Sequence, residues 1–256
     1  MARTDTLNNY LTDIALAIKT KKNDTTPINA SKFDEEIANL PSGGGADEYF
    51  KTKVTTETNQ QELMKKLIKK VPVIDTSTAT DMYQMFNLFY SLEEIEGIDT
   101  SSAKNMYKMF SDCWVLKEIP QMNTSNVTNM SQTFAGCKLI TTIPEIDTSN
   151  VLSASNMFAG CSALITIPLM DFGKANTVQS MFNGCSKLEN IGGFKNVGMA
   201  YDATKSANYG SYTMIFTSCT NLTHDSLMNV INNLYDIASI GVQTQKLTLG
   251  STNLAK

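Results

Sequence analysis

The chain has 256 residues, an ordinary apolar content of 42% and a formal net charge of −4. That charge, with Lys and Arg scattered, argues against nucleic acid or an anionic membrane surface as the main partner. No stretch approaches the roughly 20 apolar residues that span a bilayer, and residues 1–22 hold neither an unbroken apolar run nor a small-residue cleavage site, so synthesis and folding in the cytoplasm without a secretory signal are expected.

Leu7, Tyr10, Leu11, Ile14, Ala17 and Ile18 recur at helical spacing, which predicts an amphipathic helix over 6–20. The run 21–27 breaks it. Asn29 is placed to cap a second helix with Phe33, Ile37 and Leu40 on its apolar face, and the Pro-Ser-Gly-Gly-Gly run at 41–45 ends it. Residues 1–42 thus read as a small α-helical hairpin and 43–58 as a linker. Two short helices bury little surface alone, so Leu7, Leu11, Ile14, Ile18, Phe33 and Ile37 are candidates for anchoring to another protein. Packing on the chain's own repeats is the open alternative. The string DIALAIKTKKNDTTPINASKFDEEIANL resembles a segment of tail and baseplate proteins of phages and prophages of Gram-positive bacteria. There, a helix ending in Ile-x-x-Lys-Lys precedes Pro-Ile-Asn and a short helix bearing Phe and Ile. Ala30 departs from that pattern, in which a Pro often opens the second helix.

Asn59 can cap a helix from Gln60 to about Lys70, with Leu63, Leu67 and Ile68 on one face. That helix runs into a repeat. Phe86, Phe110, Phe134, Phe158 and Phe182 are each 24 residues apart, as are Ile74, Ile98, Met122, Ile146 and Met170. Cys113, Cys137, Cys161 and Cys185 each follow a Phe by three residues, and Phe89 takes that place in the first copy. Further columns run through Leu92, Leu116, Ile140, Leu164 and Leu188, and through Ile95, Ile119, Ile143, Ile167 and Ile191. A fixed period of this length is the mark of a repeat array. The Met, Phe, Cys, Leu and Ile columns are expected to point inward. One rung buries about six such side chains, too few to offset the entropy of ordering 24 residues, so the rungs must stack. Pro120, Pro144 and Pro168 cannot donate to a ladder and must sit where the strand's N–H points outward or where the strand ends.

The rungs share one order: Asp-Thr-Ser or a close variant, a Met-Phe pair in all but one, a Gly-Cys turn at Gly136, Gly160 and Gly184, and a Leu- or Ile-x-x-Ile segment followed by Pro120, Pro144 and Pro168 in the middle three. This pattern resembles the leucine-rich repeats of bacterial surface proteins, over about residues 72–222. The resemblance implies a leucine-rich-repeat-like right-handed solenoid, mainly short β-strands and turns with helical caps. The repeat region is expected over 59–222. From Phe194 the register slips: Phe182 to Phe216 is 34 residues, so about ten are inserted. The stretch 196–213 carries Tyr201, Tyr209 and Tyr212 among Ser, Gly and Asn, a composition shared with binding loops. An ordinary surface loop, or a longer rung with Tyr packed inward, is the alternative. Thr223 caps a predicted helix with Leu227, Val230, Ile231 and Leu234 on one face, and 246–250 reads as a last strand, so 223–256 forms a C-terminal cap. This ending too resembles that of phage repeat proteins.

Catalytic chemistry is hard to build. The single His, His224, and the lack of any CxxC leave no zinc set and no His-based triad, so no enzyme, metal or cofactor is expected. The five Cys could pair between rungs about 4.8 Å apart, but a column of reduced, buried small hydrophobes is the simpler reading. Asp75, Asp99, Asp147 and Asp171, with Asn123 between, form a column that could hold stacked carboxylates; a turn role, each side chain bonding backbone N–H two residues on, is preferred. Tyr83 and Tyr107 occupy a column where later rungs have Ser131 and Ser155, and Tyr90 and Trp114 one where later rungs have Lys138 and Ser162. Both columns are expected to face solvent and to suit stacking on sugar rings or anchoring a protein. Shielding of the N-terminal cap is the competing reading. Glu93, Glu94, Glu96 and Glu118 are expected to make that end acidic.

Residues and resemblances together lead to the expectation of a non-enzymatic, phage or prophage tail-associated binding protein. Its helical hairpin would attach to tail or baseplate proteins, and its repeats would face a glycan or protein on a Gram-positive host. Lysis would release it, in a virion tail, and a homotrimer fits the resemblance. A purely structural baseplate component and a bacterial surface adhesion protein are the alternatives.

Overall fold

The structure, a computed structural model, describes residues 65–232 apart from 67, 198, 200–213 and 217, together with 247–249. Its short strands are β1 (Lys70–Val71), β2 (Glu94–Ile95), β3 (Thr166–Ile167), β4 (Met170–Asp171), β5 (Asn190–Ile191), β6 (Phe194–Lys195) and β7 (Met214–Phe216). Helix α1 (His224–Asn232) and strand β8 (Leu247–Leu249) follow. Pairing is parallel throughout. Lys70 pairs with Glu94, Thr166 with Asn190 and Met170 with Phe194, each 24 residues apart. Isolated bridges such as Asn105–Asn129 and Asn129–Ser153 keep the same offset. Consecutive 24-residue segments therefore lie as rungs on one another.

The inward columns are where the period puts them. Phe110, Phe134, Phe158 and Phe182, and the Cys three residues after each, are fully buried. The Phe rings form a continuous stack: Phe110–Phe134 and Phe134–Phe158 have centroids 5.8 and 5.6 Å apart with planes 4° and 5° from parallel. Phe182 stacks next on Phe216 at 5.2 Å, so the chain rejoins the column after the inserted residues. Each thiol donates to the carbonyl of a Phe in the preceding rung: Cys113 to Phe86, Cys137 to Phe110, Cys161 to Phe134, Cys185 to Phe158 and Cys219 to Phe182, at 3.0–3.3 Å. All five Cys are free and buried. Burial pushes their thiols up, Cys219 to about 12 and Cys113 and Cys161 well above the ordinary value, because a thiolate there would lose its hydration.

On the Met-Phe side the inter-rung bonds share one sense. The N–H groups of Met82, Gln84, Phe86 and Leu88 donate to the carbonyls of Asn105, Tyr107, Met109 and Ser111 at 2.8–2.9 Å. The same four-bond set recurs from Met130, Gln132, Phe134 and Gly136 to the next rung. This spacing of two is obtained by turning the chain repeatedly, with positive φ at Gln84 and Leu88 and at their counterparts in later rungs. A second buried column, Thr76, Thr100, Thr124 and Thr148, donates its hydroxyls to the carbonyls of Asp99, Asn123, Asp147 and Asp171 in the next rung. The Asp column takes the turn role: Oδ1 of Asp75, Asp99, Asn123, Asp147 and Asp171 accepts the N–H two residues on.

Three expectations need correction or refinement. The helix expected to reach Lys70 does not: Lys70–Val71 is strand β1, because pairing with Glu94 and Ile95 overrides local helix propensity. Lys65 and Lys66 are helical. Ile231, expected on the buried face of the last helix, is 42% exposed; the buried face is Ser226, Leu227 and Val230. The acidic end is largely neutralised, since Lys69 lies 3.4 Å from Glu93 and Lys70 lies 2.9 and 3.4 Å from Glu94 and Glu96. The proline column agrees with expectation at Pro168, which follows the end of a strand. Its counterparts Glu96 and Gly192 do donate, to Val71 and Ile167 at 2.8 and 2.9 Å. Proline removes that bond, and β3 ends at the residue before Pro168.

The C-terminal end of the ladder is closed by one serine. Ser226 Oγ accepts from the Ile191 N–H and donates to the Glu189 carbonyl, both at 3.0 Å. It thereby supplies to β5 what a further rung would supply. Thr223 caps α1 as expected, its Oγ1 accepting from the Ser226 N–H at 3.2 Å. Strand β8 pairs in parallel with β7. The hairpin expected over 1–42, the anchoring residues on it, and Leu234 lie outside the described residues.

Candidate functional site

Two aromatic pairs mark the first two full rungs. Tyr83 and Tyr107, one period apart, stack with centroids 5.3 Å apart and planes 16° from parallel. Tyr90 and Trp114, also one period apart, lie 4.4 Å apart and tilted by 51°. Tyr83 is 46% and Trp114 40% exposed, whereas Tyr90 and Tyr107 are half-buried beneath their neighbours. The expected solvent-facing columns are therefore exposed at one ring of each pair. Tyr201, Tyr209 and Tyr212 lie outside the described residues.

The tyrosine pair is internally satisfied. Gln84 Nε2 donates to the Tyr83 hydroxyl at 3.1 Å and Gln132 Nε2 to the Tyr107 hydroxyl at 3.3 Å. Lys108 Nζ sits 5.5 Å from the Tyr107 centroid. The second pair is built differently. Trp114 Nε1 donates to Asp112 Oδ1 at 3.2 Å, and Lys138 Nζ, from the next rung, lies over the indole at 4.0 Å. At an exposed site such a cation–π contact stabilises by about 0.5–1 kcal/mol, so the ammonium is easily displaced.

Asp112 was missed by sequence reasoning. It occupies the tight-turn column that reads Leu88, Asp112, Gly136, Gly160 and Gly184, all at positive φ from 60 to 83°. The glycines suit that conformation; a side chain there costs about 1–2 kcal/mol, less for Asp than for Leu. The signal was available in the register, since both departures from Gly fall in the rungs that carry the aromatics. Asp112 also lies over the next rung's turn, where a Cβ added at Gly136 would meet its Oδ1 at 2.3 Å.

Among the described residues no group of three or more His, Cys, Asp or Glu could hold a metal ion, and no helix is long and apolar enough to cross a membrane. Hydrogen bonds from Ser77 and Ser101 hold the Asp75 and Asp99 carboxyls below the usual value, opposite to what a general acid needs. His224 is exposed at the start of α1.

Stacked 24-residue rungs define a repeat protein. The family model described as "Mycoplasma protein of unknown function, DUF285" matches residues 45–135 and 108–225, and the chain belongs to that family. No curated protein and no solved structure matches the chain.

Proposed function

We propose that the chain is a non-enzymatic binding protein: a right-handed leucine-rich-repeat-like solenoid that presents a rigid surface to a glycan or protein on a Gram-positive cell. The observation that carries this reading is the coincidence of exposed Tyr83 and Trp114 on adjacent rungs. Soluble proteins expose single aromatics freely, but a half-exposed Trp set against a Tyr and flanked by both charges is a contact surface in kind. The resemblance of about residues 7–40 to phage tail segments supports attachment of the protein, as a homotrimer, to a tail or baseplate through the N-terminal helices. A second reading, a bacterial surface adhesion protein, is favoured by membership in a family whose description names a bacterium.

Fluorescently labelled full-length chain, offered to a panel of Gram-positive cells, tests binding; saturable binding to some strains is expected, and none to any strain, with a folded sample, overturns it. Antibody labelling separates the two settings. Decoration of tail tips in induced lysates supports the virion role, and decoration of intact producing cells supports the surface role.

A further inference from the structure

Three columns change together in the first two rungs and in no later one. Where later rungs have Ser131, Ser155 and Gln179, these have Tyr83 and Tyr107; where later rungs have Lys138, Ser162 and Ser186, they have Tyr90 and Trp114; where later rungs have Gly136, Gly160 and Gly184, they have Leu88 and Asp112. The third change works against the backbone, because Leu88 and Asp112 hold φ of 66 and 60° where glycine is at ease. Non-glycine residues hold positive φ elsewhere in every rung, at Gln84 and its counterparts, so what sets this column apart is the carboxylate that Asp112 brings to the Trp114 indole where later rungs have no side chain.

We propose that the corner formed by Tyr90, Asp112, Trp114 and Lys138 is a saccharide-binding site, with Trp114 the contact ring and Asp112 its positioning residue. This rests on the surface-binding reading and names its ligand class. The charges lie directly on the indole: the carboxylate holds Nε1 at 3.2 Å and the ammonium covers the face at 4.0 Å. A protein partner asks for a contiguous apolar centre with charges kept to the rim. A polyhydroxyl ligand asks for the reverse, an apolar ring for its C–H face with an acceptor and a donor at the ring's edge for its hydroxyls. Asp112 retains acceptor capacity for this, since its Oδ2 meets only the Ser111 hydroxyl at 3.3 Å among the hydrogen bonds of that atom. Lys138 Nζ leaves the indole face as the sugar arrives and turns to a hydroxyl. Tyr90 backs the ring from the preceding rung. The Tyr83–Tyr107 pair, whose hydroxyls each accept from a Gln, adds exposed aromatic surface but carries no charged group at its ring edge and is not part of this corner.

Trp114 is the only tryptophan of the chain, so its emission reports on this corner alone. The full-length protein is titrated with protease-treated, protein-free Gram-positive cell-wall polysaccharide, alongside Trp114→Ser, Asp112→Gly and Asp112→Asn. Ser and Gly are the residues later rungs use at these columns, so both variants are expected to fold, which circular dichroism and Tm verify. The expected result is saturable binding that shifts the Trp114 emission of the parent, with affinities, read for every protein by titration calorimetry, weakened tenfold or more in Trp114→Ser and Asp112→Gly. Asp112→Gly alone also shifts the emission of the free protein, and Asp112→Asn, which keeps an acceptor for Nε1, restores both emission and affinity. Unchanged affinity in the folded Trp114→Ser variant overturns the saccharide site while surface binding stands. Binding to intact cells but not to protein-free polysaccharide does the same and makes the partner a protein. Binding to neither removes both.

Discussion

Gly136 and Gly160 occupy the same turn one rung apart, at φ of 74 and 78°, and differ only in what lies above them. A Cβ on Gly160 would meet Gly136 backbone atoms no closer than 3.5 Å, an ordinary contact. Gly160→Ala should therefore cost only the conformational penalty, about 1–2 kcal/mol. At roughly 2–4 °C per kcal/mol for a chain of this size, Tm should fall by about 2–8 °C. Gly136→Ala meets the same penalty and a second one. Its Cβ would lie 2.3 Å from Asp112 Oδ1, so that carboxylate must rotate away and release the Trp114 indole. Loss of one exposed, charge-assisted hydrogen bond adds about 1 kcal/mol. The distinguishing readout is fluorescence: Gly136→Ala should shift Trp114 emission in the folded protein at 25 °C, and Gly160→Ala should leave it alone. Equal emission in the two variants would refute the transmission from turn to indole through Asp112. A Gly160→Ala protein as stable as the parent would refute the positive-φ requirement itself.

Ser226→Ala should destabilise by about 1–3 kcal/mol, because the buried Ile191 N–H loses its acceptor while the Glu189 carbonyl keeps the Thr223 N–H; faster hydrogen exchange at Ile191 than at Val71 would check it. Lowered carboxyl values at Asp75, Asp99 and Asp147, held by their Ser partners, contribute stability that is present above the unfolded value near 3.8 and lost as pH falls through the lower folded value. Tm should thus decline below about pH 4, and Asp99→Asn, which copies the turn of Asn123 without the charge, should start from a slightly lower Tm at pH 7 and lose less between pH 4 and 2. The five thiols should resist iodoacetamide at pH 8 until the protein unfolds, with Cys219 labelled first; rapid labelling of Cys137 in the native protein would contradict its burial.

What the sequence made legible follows from its period. A strict repeat of 24 fixes which residues meet between rungs, so the Phe and Cys columns, the Asp turns and the length of the insertion could be read without coordinates. The same subtraction places Lys70 opposite Glu94, yet the glutamates were read as an acidic patch because charges were counted along the chain and not across the rungs. Other features depend on dihedrals and depth. That Asp112 would reach the Trp114 indole requires a left-handed turn at a non-glycine residue, which composition does not announce. The Thr column was absorbed into the Asp-Thr-Ser turn; only burial shows that its hydroxyls tie rung to rung. Ile231 kept helical spacing but not burial, since α1 rests on β5 through Ser226 and a narrow stripe beside it.

The direction of the inter-rung bonds has a mechanical consequence. They run along the stacking axis, across the path of the chain, so a load applied at the two termini peels the rungs in turn and does not shear them together. Each release would free 24 residues, roughly 80 Å of contour at about 3.4 Å per residue, for the loss of one interface's hydrogen bonds and the buried apolar contacts of that rung. A protein that holds on to a surface by such a stack would yield under tension in even steps, lengthening before it lets go.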